Sequence, residues 1–366
     1  MREEGAFNNR EKKTGQESVS QREDLSLLRS SAERLIAEAH SNIGDMYRTE
    51  EQDPLERREY HNVKHTEGVE DKAEKILNTT RKAEPSIGIT ERDIILARLI
   101  ASHHDVDQSQ DEPKITPERM GDEEFQKTQR KRYIEQIEKN SAGILVGRMQ
   151  QVNEQGKKEV FTKQDMEIAR AAILATIPGF AKGTVVQPKL NDFAEESLKR
   201  QLELKEEGKM KLLEEEKKKY ILVLTIALAD LGAMMDGAEE FLRDGNGVFR
   251  EDNIDIADAM EVTLKMSDQQ KEYIYGRIKG WYGAQVKFVE GRREIFELQI
   301  LSFPDAAKED VKKLFKFDEA IQAARERLQK VNGDEAIMEK EADPEKKKKM
   351  KDLLFEVTVK EMGYRI

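Results

Sequence analysis

Ile94-Ile95-Leu96-Ala97-Arg98-Leu99-Ile100-Ala101-Ser102-His103-His104-Asp105 is the stretch on which the reading turns. It follows Thr90 and Asp93, which are spaced as a capping box with Asp in place of Glu, so a helix opens here. The helix is almost wholly apolar, so it belongs inside a core. It delivers two histidines and an aspartate side by side at its far end.

Working outward, the same helical period recurs on both sides. Before it, Val63, Val69, Ala73, Ile76 and Leu77 repeat at three to four residues and predict a helix over about 61–80, ended by Pro85, Ser86 and Gly88. Farther back, Leu28, Leu35 and Ile36 share a helical face from about Leu25, with His40 beyond them; residues 1–24 are polar and aperiodic and are expected to be a disordered arm. After it come a polar loop at 107–120, helices at about 122–153 and 163–176, and a second long loop marked by Pro178, Gly179, Gly183 and Pro188. A charged helix at 192–218 is expected to feed an apolar one at 219–235. A Gly/Asn/Asp turn follows at 243–253, then helix again at 255–301. In that last segment Trp281, Phe288, Phe296, Leu298 and Leu301 are read as core. Residues 305–366 are charged and interrupted by Gly333 and Pro344; the basic run Lys346–Lys349 is expected to be a solvated helix start. There is no run of alternating strands and no internal repeat. The expected fold is all-α, a helical bundle with long charged helices and polar termini: an arm at 1–24, one main domain at 25–304 and a charged helical extension at 305–366.

Composition narrows the function. Of 366 residues, 37% are apolar and 37% charged, with a formal net charge of -11. An acidic chain of this kind does not suit a long nucleic acid, whose phosphates reward clustered Lys and Arg. A small anionic substrate held by a local metal site remains compatible. The absence of cysteine excludes disulfides, zinc–thiolate sites, iron–sulfur clusters and cysteine nucleophiles. The N-terminal segment has no apolar run of the secretory type. The longest apolar run, 220–235, falls short of the roughly 20 residues a membrane span needs. A cytoplasmic protein without a membrane partner is therefore expected.

Four of the five histidines fall between residues 61 and 104. His61 and His65 are four apart and point the same way on a helix. His103 and His104 are followed at once by Asp105. Imidazole beside carboxylate makes a mixed nitrogen/oxygen site suited to Mn, Fe, Co, Ni or Zn. Asp230 lies inside the apolar run Ile221-Leu-Val-Leu-Thr-Ile-Ala-Leu-Ala-Asp230, where a carboxylate must be paired, protonated or metal-bound. Taken from spacing alone, pairing of Asp230 with an arginine and ordinary core placement of the histidines both stay open.

Three elements in order, Tyr60-His61-Asn62-x-x-His65, then His104-Asp105, then Ala229-Asp230-Leu231, resemble the HD superfamily of metal-dependent phosphohydrolases, and within it the branch similar to cyclic-nucleotide phosphodiesterases. The resemblance spans roughly residues 55–235. It implies His65, His104, Asp105 and Asp230 as ligands of a first divalent ion (Mn, Fe, Co, Ni, Zn or Mg), with Asp105 bridging to a second. It also implies His61 as general acid, whose ring then needs a neighbouring carboxylate to orient it. Glu138-Lys-Asn-Ser141-Ala142 is similar to a Glu-x-x-Ser-Ala element of small HD phosphohydrolases, which implies Glu138 beside the attacking water; a surface ion pair is the alternative. The second motif departs from the phosphodiesterase pattern: Asp105-Val106-Asp107-Gln108-Ser109 lacks the histidine and Pro-Gly loop that follow HD there. Thr176–Phe180 and Gln187-Pro188 are read as turns that are also able to line a pocket.

Other signals carry less. Asp244-Gly245-Asn246-Gly247 fits part of a calcium loop, but Leu242 and Asn253 would stand where carboxylates are required. Phosphate-binding glycine loops and the Gly-x-Ser-x-Gly elbow are absent. Three function classes follow: an enzyme hydrolysing a small phosphorylated substrate, a nucleotide being one candidate; a non-catalytic metal-binding sensor or interaction domain; and a di-iron oxygenase, which needs more histidine ligands than this chain offers.

Overall fold

A computed structural model describes residues 19–46, 59–108, 135–156, 158–177, 188–253 and 266–364, with four short strand segments and Ile256 between them. The chain is all-α. Helix α1 is Val19–Met46, α2 Val63–Ala83 and α3 Glu91–His103, with a 3-10 turn at Pro85–Ile87. Then come α4 Gln136–Gly156, α5 Lys163–Leu174, α6 Pro188–Glu206, α7 Met210–Asp230 and the short α8 Ala233–Asp236. Helices α9 Ala238–Asp252, α10 Asp268–Ile300, α11 Asp305–Lys312, α12 Phe317–Glu339 and α13 Pro344–Glu361 complete the described order. Two antiparallel ribbons interrupt it: β1 Gln110–Asp111 pairs with β2 Lys131–Arg132, and β3 Gly179–Ala181 with β4 Thr184–Val186.

The helix ends form where the side chains dictate. At the start of α3, Thr90 and Asp93 make both bonds of the capping box, and Asn62 caps α2 by accepting from the His65 amide at 3.2 Å. Helix α3 packs against α1, α2, α5 and α7. Along α7, Tyr220 to Ala229 are all buried; a helix apolar on every side has to be the centre of its core. Asp230 is therefore the first charged residue after the buried run, at the end of the central helix. A second, smaller apolar cluster joins Phe249, Ile274, Ile278, Tyr282, Phe355 and Val359. Among the described residues no helix is long and apolar enough to cross a membrane.

Several expectations are corrected. The segment 243–253 is helix, not turn: it forms most of α9. Two glycines cost helix stability, about 1 kcal/mol each, but tertiary contact outweighs that. A Cβ at Gly247 would touch the Glu59 carbonyl and Tyr60 Cβ at 3.4 Å, and one at Gly245 would overlap the Gln285 amide. Asn246 donates to the Glu361 carbonyl at 2.8 Å. The charged and apolar segments at 192–235 divide at Gly208 (φ +69°), so the charged turns 210–219 and the apolar run share α7. Leu298 and Leu301 are exposed, at 69% and 64%, while Phe296 is buried; the run near the end of α10 exceeds the width of the buried face. Helix α1 begins at Val19, inside the expected arm, whose residues 1–18 lie outside the described residues. The 305–366 segment is helical, and α13 opens at Pro344 with an exposed Lys346 as expected. However, Val311, Phe315, Phe317, Ala320 and Ile321 enter the main core, so packing does not stop at residue 304.

Candidate metal centre

Three helix ends meet at one point. His65 stands in the first turn of α2, His104 caps the end of α3 with Asp105 next to it, and Asp230 closes α7. One ligand atom from each of these four lies within 4.8 Å of every other. His104 Nε2 is 3.0 Å from Asp105 Oδ2 and 3.3 Å from Asp230 Oδ1. His65 Nε2 is 3.4 Å from Asp105 Oδ2, 3.5 Å from Asp230 Oδ1 and 3.3 Å from His104 Nε2. The cluster brings together residues read from sequence as a ligand set.

Local hydrogen bonds set how each ligand presents itself. His104 Nδ1 donates to the Ala101 carbonyl at 2.6 Å, which turns Nε2 toward the cluster. Asp105 Oδ1 accepts from Gln108 Nε2 at 2.8 Å. Asp105 Oδ2 is buried and accepts no aligned hydrogen bond despite its nearness to both imidazoles. A buried carboxylate oxygen left in this way, facing two Nε2 atoms and a second carboxylate, is the arrangement a divalent cation satisfies. The electrostatics agree. Burial alone would lower the His104 pKa, but the carboxylates of Asp105 and Asp230 hold it well above the ordinary value. Burial would raise Asp230, but the hydrogen bonds and charge of His104 and His65 bring it down to about 2. Two carboxylates taken from water in this way require positive charge between them, from protons on the imidazoles or from a metal ion. The His/Asp group fits a metal of the kind its donors imply.

His61 borders this cluster without belonging to it. Its Nδ1 lies 2.8 Å from Glu251 Oε1, and Glu251 Oε2 accepts from the Tyr60 and His61 amides at 3.1 and 3.2 Å. Glu251 is 1% exposed, so one buried carboxylate fixes both the loop and the ring. Glu138 is half-buried on α4 and lines the same cavity as Asp105 and Asp230, rather than an exposed face. Its Oε2 accepts from the Glu135 amide at 2.6 Å. Burial raises its pKa, and the charges of Asp105 and Asp230 add to that. The neighbouring Ser141 Oγ accepts from the Asp107 amide at 3.1 Å, and Asn140 Nδ2 donates to Asp107 Oδ2 at 2.6 Å. The element after Glu138 thus staples the segment that follows Asp105, and Asp107 is engaged there, outside the four-residue cluster.

The remaining two histidines have other work. His103 Nδ1 donates to the Leu99 carbonyl at 3.0 Å, and burial lowers its pKa to about 4, a neutral core residue. His40 Nε2 lies 2.7 Å from Glu70 Oε1 and ties α1 to α2.

The cavity beside the cluster holds about 340 Å³. Thr176 reaches it, as the sequence allowed. Sequence reading missed Glu251, Asp244 and Gln285 as site residues; Trp281 and Phe288, read as core, do pack against the apolar clusters and also line the cavity. The available signal was helical spacing in a segment taken for a turn: Phe241, Asp244, Gly245, Val248 and Asp252 recur at three to four residues on one face of α9. Comparison with protein-family models, curated proteins and solved structures gives no match.

Proposed function

We propose that this chain is a metal-dependent phosphohydrolase of the HD type, acting on a small phosphorylated substrate. The observation that carries the reading is the meeting of His65, His104, Asp105 and Asp230 beside a histidine clamped by a buried carboxylate, His61–Glu251. A purely structural metal site has no use for the second feature. A nucleotide is one candidate substrate, and Mn, Fe, Co, Ni, Zn or Mg suits the donors, with one ion or two.

His65, His104, Asp105 and Asp230 would hold the ion. When bound, a divalent ion lowers the pKa of water and offsets charge on phosphoryl oxygens. The chain's own residues account for the rest. Gln108 holds Asp105 through Oδ1, leaving Oδ2 for the cluster. Glu138, which lines the same cavity, would accept a hydrogen bond from the attacking water and orient it for in-line attack. Glu251 accepts from His61 Nδ1–H, which leaves the proton on Nε2 of the imidazolium for transfer to the departing ester oxygen.

The test is metal analysis of the purified protein together with turnover of a phosphomonoester and phosphodiester panel. Retained divalent metal with phosphate release, abolished by a chelator and restored by metal, is expected. Bound metal with no turnover on any ester would support a sensor domain instead, and no metal binding at all would end both readings.

A further inference from the structure

The cavity walls say what kind of group can sit beyond the phosphoryl end. Besides the ligand carboxylates, Glu138, Asp244 and Asp252 line the cavity, among the aromatic side chains Tyr60, Phe241, Trp281 and Phe288. Among the described residues no lysine or arginine lines it. Basic side chains such as Lys64, Lys72 and Lys75 line instead an adjoining cleft of about 550 Å³, which shares Tyr60 and Asp244 with the cavity and is also lined by His65. Asp244 lines both; its basic neighbours are Arg243, at 3.9 Å and 54% exposed, and Lys72, which pairs with Asp236 at 2.7 Å, so neither neutralises it closely.

The charge of the lining is then one-sided. A divalent ion is matched by Asp105 and Asp230, Glu138 is assigned to the attacking water, and Asp244 remains as an acidic group of the lining for whatever the phosphoryl group is attached to. An independent feature points to an occupant of the same space. Gln285 is only 4% exposed; its Oε1 accepts from Arg327 Nη1 at 3.4 Å, while Nε2 is buried without an acceptor. That amide nitrogen lies against Gly245, next in sequence to Asp244. An acceptor brought there by a ligand sits beside a carboxylate, which favours a neutral oxygen or nitrogen over an anionic one. Aromatic faces also suit a cation or an apolar surface.

Resting on the phosphohydrolase reading, we propose that the alcohol portion of the substrate carries no negative charge of its own, that a positive charge there is favoured over none, and that Asp244 is the specificity-determining residue. Esters with a second phosphate or a carboxylate near the scissile bond are rejected by like-charge repulsion in a low-dielectric cavity.

The experiment measures calorimetric binding of three phosphonates of similar length to the metal-loaded full-length protein: 3-aminopropylphosphonate, n-butylphosphonate and 3-phosphonopropionate. The expected order is amine, then alkyl, then carboxylate, with at least about tenfold between first and last. In Asp244→Asn, with an unchanged melting temperature as control, that ratio is expected to fall below about threefold, since one full charge is removed. Equal binding of amine and carboxylate, an unchanged ratio in the variant, or no binding of any probe overturns the proposal. Turnover of 2-aminoethyl phosphate and n-propyl phosphate is assayed in parallel. Binding in the expected order with no hydrolysis of either supports the charge preference and ends the hydrolase reading. Hydrolysis with no charge preference in binding does the reverse.

Discussion

His61 Nδ1 and Glu251 Oε1 lie 2.8 Å apart, joining residues 190 positions distant in the chain. The same carboxylate accepts the Tyr60 and His61 amides, so ring and backbone are held by one group. Glu251→Gln is expected to retain the shape but weaken the orientation of the ring. Activity should fall about 10–100-fold with metal content retained. Steady-state kinetics beside metal analysis checks this; full activity in the variant would show that the contact is only structural.

Substituting His61→Ala should leave metal binding intact and lower turnover by about 10²–10⁴-fold, the range for a lost general acid. The geometry behind this is that His61 lines the cavity but stands outside the four-residue cluster. Metal lost in proportion to activity would make His61 a ligand.

Glu138 gives a sharper contrast. As a residue that orients water beside the metal, Glu138→Gln should cost about 10–100-fold in activity or metal affinity. As a surface group, it would change stability by at most ~1 kcal/mol and leave activity alone. The first outcome is expected, because Glu138 shares the cavity with Asp105 and Asp230 and its pKa is raised by burial and by their charge.

The pair His40–Glu70 predicts a pH dependence of folding away from the site. The hydrogen bond that His40 donates to Glu70 raises the His40 pKa, outweighing the lowering by burial. A raised folded pKa means that the protonated ring stabilises the fold fully below the unfolded value, about 6.5, and that this contribution is lost as pH rises through the folded value. The pair is partly exposed, so about 1 kcal/mol or less is at stake. Urea melts at acidic and alkaline pH should show a loss of stability in the wild type that is reduced by that amount in His40→Gln. Parallel pH profiles for the two proteins would contradict it.

Much of the fold was legible because local rules and tertiary packing agree. The Thr90–Asp93 box forms as spaced, Asn62 caps α2, and Leu28, Leu35 and Ile36 are buried together. Misreadings fall where tertiary contact overrides propensity. Asn246 and the glycines of α9 look like a turn, yet Gln285, Tyr60 and Glu361 require a helix there. Leu298 and Leu301 look like core, yet they project beyond the buried face of α10.

The sequence by itself offered residues equipped to bind a metal, imidazoles beside a carboxylate and a carboxylate inside an apolar run, while core placement and ion pairing stayed open. It also determined the helical class, through the period of its apolar residues. Only the tertiary structure brings His104, which the resemblance singled out rather than His103, to His65, Asp105 and Asp230 and leaves His103 in the core. It alone found Glu251 as the partner of His61, and it set aromatic and acidic side chains of α9 and α10 around the cavity. Adjacent histidines on a helix point about 100° apart, and which one faces the site depends on how α3 is rotated against α2 and α7. That rotation is fixed by packing among distant segments, not by any one of them.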